Sequence, residues 1–432
     1  TTPMTRMIKV SPFEYADKSQ MKDYVLEEIT ARYPAEAETT EGDMSWQEFM
    51  ELGRNFKGEY LAPVDPDRAV FGAYTSGSTG ISKLVIHSSA NIVATAYQMS
   101  IFIPPSDVQE VWWTPILPPA LIAVTVSMTI FPLSTGLMVS LDPFCPLENI
   151  DIEFMDRKPN FWALIPLYCE MLMSSERIPE DYDMSHLRTI GAGAEAMNDR
   201  KYAEVEAFFH KHNVKAKFSA GYGQSEGCSN FTLPNPMFPL EDGCVGMPMP
   251  ATVLAVFDKD LNELNYGESG ELCMMGPSMM LHYSGWRGEE MTEKTLVEHP
   301  DGNTWLHTGD EAYITEQGII HILGRGDIKC YGDKPLHIMR METKTVRTPG
   351  VQDGFFCVVP DLEHEGYFRP YLFVILDGTK TLEEVSELLK DTLEEHEYPV
   401  EIRVITERPY FHFKTNRKEL TAQILEELKQ AE

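Results

Sequence analysis

Residues 74–83 read YTSGSTGISK: Tyr74-Thr75-Ser76-Gly77-Ser78-Thr79-Gly80-Ile81-Ser82-Lys83. Six of the first seven residues are Thr, Ser or Gly, and a lysine stands three residues after Gly80. Hydroxyls and unhindered glycine amides donate hydrogen bonds to phosphate oxygens, and glycine lets backbone approach closely. The apolar AVFGAY before the run reads as a strand, and a helix is expected to begin near Ser89-Ala90-Asn91. Strand, glycine-rich loop and helix together would make an anion site. The P-loop of nucleoside triphosphatases is excluded, because GxxxxGK[ST] needs the lysine directly after the glycine and a hydroxyl after the lysine, where this chain has Leu84. Composition alone leaves an ordinary flexible turn as the competing reading.

The chain has 432 residues, more than one hydrophobic core usually serves, so at least two domains are expected. A hydrophobic content of 43% and an aromatic content of 10% exclude a disordered or fibrous chain. The formal net charge of -31 repels nucleic acid and anionic lipid, so neither is expected as a partner. It does not forbid a nucleotide pocket, and its plainest reading is solubility. Seven scattered cysteines form no CxxC pair, which argues against a zinc site or disulfide framework and suits the reducing cytoplasm. The opening TTPMTRMIKV has no apolar core, so no signal peptide is expected. Residues 111–141 carry no charge and are long enough to cross a bilayer. Four prolines (Pro115, Pro118, Pro119, Pro132) interrupt them, Ser134-Thr135-Gly136 reads as a turn, and no Lys or Arg flanks them closely. The expectation is a buried helix over 120–131 and a buried strand over 137–141, with no membrane span.

Residues 21–32 read as an amphipathic helix. Beyond residue 70, short apolar runs alternate with helical ones: FWALIP and LRTIGAG read as strands ending in loops, 198–210 as a helix, and 214–223 as a strand and loop. That alternation implies an α/β layer fold with largely parallel strands. Over 248–275 the pattern becomes antiparallel, with glycine-bearing turns. The expected division is a large N-terminal domain of layered sheets and helices (1–326), short at its N-terminal part. A small α+β C-terminal domain (327–432) follows on a hinge, with strands at 355–359, 371–376 and 401–405 and a helix at 381–396.

Further motifs follow in order: Gly221-Tyr222-Gly223-Gln224-Ser225-Glu226, the segment GESGELCMMGPSMMLHYSG, Trp305-Leu306-His307-Thr308-Gly309-Asp310, Gly324-Arg325-Gly326-Asp327, and FKTNRKEL beginning at Phe413. Together with YTSGSTGxxK they resemble the signature elements of the acyl-adenylate-forming superfamily, which includes acyl-CoA synthetases, peptide-synthetase adenylation domains and luciferases. The resemblance runs over residues 70–420. It implies attack of a carboxylate on the α-phosphate of ATP and transfer of the acyl group to a thiol. Charge builds on phosphate oxygens in the transition state, so cations and N–H donors must be positioned there.

On this resemblance Thr75, Ser76, Gly77, Ser78, Thr79, Gly80 and Lys83 would hold the β,γ-phosphates. Glu226 would ligate Mg²⁺, a hard cation that takes oxygen ligands. Tyr222 would stack on adenine within Gly221-Tyr222-Gly223-Gln224-Ser225, and Gly191-Ala192-Gly193-Ala194-Glu195 would lie against the base and the acyl pocket. Asp310 would accept from both ribose hydroxyls, with Arg325 as a further donor. Lys414 is the expected lysine for the carboxylate and α-phosphate, with Lys418 as the alternative alignment; Lys414, Glu226 and Thr79 form the catalytic set. Asp327 would be the hinge pivot and Gly332 would line the thiol channel. The pocket segment Thr114-Pro115-Ile116-Leu117-Pro118-Pro119-Ala120-Leu121 offers no group for an α-amino function beyond Thr114. An apolar acid, fatty or aryl, is therefore expected, with Leu117, Pro118, Ala120, Ala220 and Gly221 lining its pocket.

The sequence departs from the pattern in two places. Only 73 residues precede Tyr74, where the resemblance implies a substantial subdomain. This leaves open an N-terminal part absent from this chain or a short plan like that of phenylacetate-CoA ligases. GRGDIKCYG is also shorter than the related GRxDxxIKxxG. The first functional reading is an ATP- and Mg²⁺-dependent ligase that transfers the acyl group to coenzyme A. A stand-alone adenylation enzyme loading carrier-protein phosphopantetheine and an inactive nucleotide-binding relative are the alternatives. A homodimer is left open.

Overall fold

Strands 111–115, 138–142, 161–164, 189–192 and 218–220 form one wholly parallel sheet in the computed structural model. The model describes residues 7–11, 13, 17–35, 37–59, 61, 63–75, 82–101, 108–193, 197–233, 243–326, 329–411 and 414–431, with backbone but not side chain for Lys414. In spatial order the Met138–Asp142 strand lies at the edge, beside Val111–Pro115, then Phe161–Leu164, Thr189–Ala192 and Phe218–Ala220. Each later connection carries a helix: Ile150–Arg157, Pro166–Met173 and Asp199–Lys211. Strands covered on both faces read as continuous apolar runs, which is why FWALIP was legible. Trp113, Trp162 and Phe154 fill the core beneath the sheet, with the two indole rings 4.7 Å apart.

Because the strands are parallel, all their carboxyl ends meet one edge. Ligands of open α/β sheets bind in the crevice at that edge, at the point where strand order reverses. Here the reversal lies between Val111–Pro115 and Phe161–Leu164. The same edge emits the segments after Pro115, Ala192 and Ala220, three of the stretches singled out in the sequence.

The strand expected to be buried over 137–141 is instead an edge strand of the sheet, with Met138 and Leu141 exposed. The structure revises two further local expectations. The run after Lys83 is first a strand, Leu84–Ser88, antiparallel to Ala69–Tyr74, and only then the Ser89–Ser100 helix. Residues 74–83 therefore join two hairpin strands and do not lead straight into a helix N-terminus. The helix instead satisfies its own end through a Ser88–Asn91 capping box. The second revision concerns 120–131, which is wound in the wider i→i+5 form over Ala123–Ile130 and becomes α-helical at Phe131–Ser134. A proline in an α-helix collides with the carbonyl four residues back, and adding a residue to the turn relieves the crowding before Pro132. Among the described residues no helix is long and apolar enough to cross a membrane.

From Cys244 onward the chain builds a separate, antiparallel sheet containing Val253–Phe257, Gly270–Met275, Thr304–Ile314 and Ile320–Arg325. The third body of structure follows residue 329. Val351–Pro360 pairs antiparallel with Phe368–Leu376, and Ile402–Val404 joins in parallel. Helices Ile338–Val346, Leu382–Thr392 and Arg417–Ala431 accompany them, around cores of their own such as Phe356, Leu372 and Val385. The helix expected to reach 396 stops at Thr392, where Glu397 folds back, buried, onto Lys344 at 2.5 Å.

Candidate active site

Thr304–Ile314 carries the TGD motif as an interruption of its ladder. Cys273 faces His307 and Glu271 faces Glu311, so one strand advances four residues while its neighbour advances two. Extra residues in one strand re-aim side chains and recur beside functional sites. Gly309 sits at φ +71 and its N–H donates to Glu271 Oε1 at 3.0 Å. The next residue, Asp310, is turned inward and is 4% exposed.

Around Asp310 the structure gathers residues distant in sequence. Its Oδ2 accepts from the Tyr222 hydroxyl and, at 2.6 Å, from Gln224 Nε2. Arg325, paired with it across the strands, brings Nε to 3.7 Å from Oδ1. Oδ1 takes no hydrogen bond among the described residues, so one oxygen is engaged and the other faces only Arg325. Burial pushes the Asp310 carboxyl up, against the pull of Tyr222, Arg325 and Gln224. Tyr222 itself is pushed well up by burial and by the Asp310 charge, so its hydroxyl keeps its proton and donates.

Tyr222 and Gln224 lie in a tightly wound loop beyond Ala220. A Cβ on Gly223 would come 1.7 Å from the Ser229 carbonyl, so only glycine fits there. Gly221 N–H donates to Ala192 O at 3.1 Å and Gly193 N–H to Leu164 O at 3.2 Å, tying the two predicted loops to neighbouring strand ends. Ala194 and Glu195 lie outside the described residues.

Glu226 is the second centre. It is 8% exposed, and its Oε1 accepts from the Tyr283 hydroxyl at 2.5 Å, across 57 residues of sequence. Its Oε2 accepts no hydrogen bond among the described residues. The Tyr283 ring also lies under Lys83, whose Nζ is 4.7 Å from the ring centroid. Ser225 turns its carbonyl to His87 Nε2 at 2.7 Å. The neck of the 74–83 loop is closed by Thr75 N–H to Lys83 O at 2.9 Å and Ser82 Oγ to Thr75 O at 2.6 Å. Beside it a recess of ≈ 220 Å³ is lined by Tyr74, Ser82, Lys83, Tyr283, Trp286 and Met291 among others. Ser76, Gly77, Ser78, Thr79 and Gly80 lie outside the described residues.

Tyr283 and His87 had no role in the sequence reading. Tyr283 does fall in the GESGELCMMGPSMMLHYSG segment, so the signal was present without an assignment. Tyr283→Phe keeps the ring under Lys83 and removes the donor to Glu226. On the activity that the sequence resemblance implies, we expect the pyrophosphate-exchange rate to fall about tenfold, equal to about 1.4 kcal/mol for one lost hydrogen bond to a charged group. An unchanged rate would remove Tyr283 from the site.

The remaining predicted residues are less convergent. Ala192 and Ala220 share the core of the parallel sheet and Ile116 packs on it, whereas Leu117 is buried but no member of that cluster, and Pro118 and Ala120 face solvent. Gly332 makes the turn between Cys330–Tyr331 and Lys334–Pro335 at φ +68, which accounts for a glycine there without a channel. Asp327 lies outside the described residues. Lys414 stands in a two-strand hairpin, Tyr410–Phe411 with Lys414–Thr415. Lys418 is exposed near the start of the Arg417–Ala431 helix.

The wholly parallel sheet, with the loop beyond Ala220 bringing Tyr222 and Gln224 to Asp310, defines an α/β protein with a buried polar cluster beyond one strand end. The chain belongs to the AMP-binding enzyme family, whose model matches residues 9–284. It is 26% identical over 320 residues to a long-chain-fatty-acid–CoA ligase of Escherichia coli O157:H7, covering 72% of this chain and 54% of that one. It is 28% identical over 347 residues to a probable 4-coumarate–CoA ligase of Dictyostelium discoideum, covering 78% and 59%. The chain thus spans little more than half the length of these relatives. The ATP-bound crystal structure of MatB from Rhodopseudomonas palustris superimposes with a TM-score of 0.74 at 21% identity, over 88% of this chain and 74% of that one. This likeness establishes the fold.

Proposed function

We propose that this chain is an AMP-forming acid–thiol ligase, which activates an apolar carboxylic acid, fatty or aryl, with ATP and passes the acyl group to coenzyme A. The observation that carries the reading is Asp310. Folding turns a carboxylate inward, satisfies one oxygen with Tyr222 and Gln224, and leaves the other beside Arg325, a geometry suited to a ribose hydroxyl pair. The CoA-ligase relatives support the same chemistry.

In the first half-reaction a carboxylate oxygen attacks the α-phosphorus, the bond to the β-phosphate breaks, and pyrophosphate leaves. In the second a thiolate attacks the acyl carbon and AMP departs; AMP is a far better leaving group than oxide. Lys83 and the hydroxyls and amides of Thr75, Ser76, Gly77, Ser78, Thr79 and Gly80 hold the departing pyrophosphate. Glu226 fits Mg²⁺: it is a buried carboxylate whose Oε2 is uncommitted among the described residues and whose Oε1 is oriented by Tyr283. Mg²⁺ supplies neutralisation of charge on the phosphate oxygens. Lys414 meets the carboxylate and α-phosphate. In this reading the chain divides after Gly326, and the C-terminal part pivots at Asp327 between the two half-reactions.

A pyrophosphate-exchange panel of fatty, aryl and amino acids tests the proposal. Exchange with apolar acids followed by acyl-CoA formation is expected. Exchange restricted to amino acids would overturn the substrate class. Transfer to a carrier protein but not to coenzyme A would favour the adenylation enzyme, and ATP binding without exchange with any acid would favour an inactive relative.

A further inference from the structure

We propose that Cys273, His299 and His307 form a binding site for a Zn²⁺-type transition-metal ion, braced by Glu271 and set directly behind the TGD turn. Their sulfur and ring-nitrogen atoms all lie within 4.8 Å of one another. Strand register builds the site. Cys273 and His307 are direct cross-strand partners, so their side chains leave the same face of the sheet. His299 follows the Leu296–Glu298 strand, which pairs with the other edge of Thr304–Ile314, and a turn closed by His299 N–H to Asn303 O at 2.9 Å folds it back. The His299 ring is fixed edge-on against Phe257, 4.4 Å between centroids.

The two imidazoles point Nε2 at Nε2, 2.9 Å apart. Glu271 Oε2 sits 2.8 Å from His307 Nδ1, which places the proton on Nδ1 and leaves the Nε2 lone pair facing inward. This carboxylate–histidine arrangement is the usual outer support of a metal-bound imidazole. Without an ion, His299 must donate its Nε2 proton to His307. Among the described residues its buried Nδ1 finds no hydrogen-bond partner, and the fully buried Cys273 sulfur has only a 3.9 Å contact to Glu271 O. An ion between them takes both Nε2 lone pairs and the thiolate, and the His299 proton moves to Nδ1.

The geometry is within reach. Tetrahedral Zn–S and Zn–N bonds require N···N and S···N edges of about 3.3 and 3.6 Å, which small side-chain rotations supply. Coordination releases the Cys273 proton to solvent. The ion's two positive charges are then balanced by the thiolate and the Glu271 carboxylate, so no net charge is buried. Half-exposed Glu271 and partly exposed His307 leave a solvent side for a water as fourth ligand. Thiolate and imidazole select zinc, cobalt or copper over magnesium, which separates this site chemically from Glu226. Glu271 Oε1 also accepts from Gly309 N–H, so an ion here stiffens the turn that aims Asp310.

The test titrates the chelator-treated full chain with Co²⁺ and then Zn²⁺. One Co²⁺ per chain is expected, with a thiolate-to-cobalt charge-transfer band and the intense visible bands of tetrahedral cobalt, bleached by Zn²⁺ and unaffected by Mg²⁺. Cys273→Ser should lose the charge-transfer band, and Glu271→Gln should weaken Co²⁺ affinity about 10–100-fold. Failure of the wild-type chain to bind cobalt, cobalt bound without the charge-transfer band, or a band that survives in Cys273→Ser would each overturn the proposal. The wild-type spectrum decides the matter even if a variant does not fold.

Discussion

Lys414→Ala is expected to lower acyl-adenylate formation, read by pyrophosphate exchange, by at least about 10²–10³-fold, while the same protein still converts a supplied acyl-adenylate and coenzyme A to thioester. The magnitude is that of removing one group aimed at developing transition-state charge. A lysine suits the role because it is a compact charge on a flexible stem that can enter and leave a site. The variant should fold, because the hairpin carrying Lys414 is anchored elsewhere. Arg408 binds both oxygens of Asp353, at 2.9 and 2.6 Å, and reaches Thr415 Oγ1 at 3.0 Å, while Tyr410 OH lies 3.2 Å from Glu170. Lys418→Ala is the control. Its neighbour Arg417 is committed to structure, with 2.7 Å to Glu342 and 3.3 Å to the Phe356 carbonyl. Loss of adenylation in Lys418→Ala but not Lys414→Ala would transfer the role. Survival of both half-reactions in both variants would place the catalytic lysine elsewhere.

Asp310→Asn is expected to separate function from stability. Each hydrogen bond from a ribose hydroxyl to a charged acceptor is worth about 1.5–3 kcal/mol, so ATP affinity should fall at least about tenfold by calorimetry. The Tm at neutral pH should be no lower than that of the wild type. Burial raises the Asp310 pKa above its ordinary value. An acid with a raised folded-state pKa holds its proton more tightly folded than unfolded. Its ionised form therefore weakens the fold above that pKa, and the weakening is relieved as pH falls through it. Asparagine has the same shape without the charge and removes this cost. In the wild type, ATP affinity should decline on the acid side sooner than an ordinary carboxylate would dictate, and that limb should vanish in the variant. Unchanged ATP affinity would refute the assignment of Asp310.

Local pattern carried much of the architecture. FWALIP was legible because a strand buried on both faces is continuously apolar, and LRTIGAG because a short run ends in the small, glycine-bearing residues of a strand-to-loop turn. The antiparallel turn after residue 248 was legible because alternation and glycine punctuation are written within a few residues. The Leu84–Ser88 strand was missed for the same reason: five residues beside a glycine-rich loop and a capped helix give too short a signal. The wide winding at Ala123–Ile130 follows from crowding at Pro132, which periodicity does not register.

The ordered motifs in the sequence nominated Lys83, Glu226, Asp310 and Arg325 without showing how any of them is held. The tertiary structure decided that Tyr283 orients Glu226 and lies beneath Lys83, that Gln224 and Tyr222 occupy one oxygen of Asp310, and that Cys273, His299 and His307 converge. Scattered cysteines without CxxC argued against zinc, because that test sees only neighbours along the chain. Conformational preference is set by a few adjacent residues and is therefore written in the sequence locally. Convergence is set by strand order and register, which the buried faces of the whole chain fix only together.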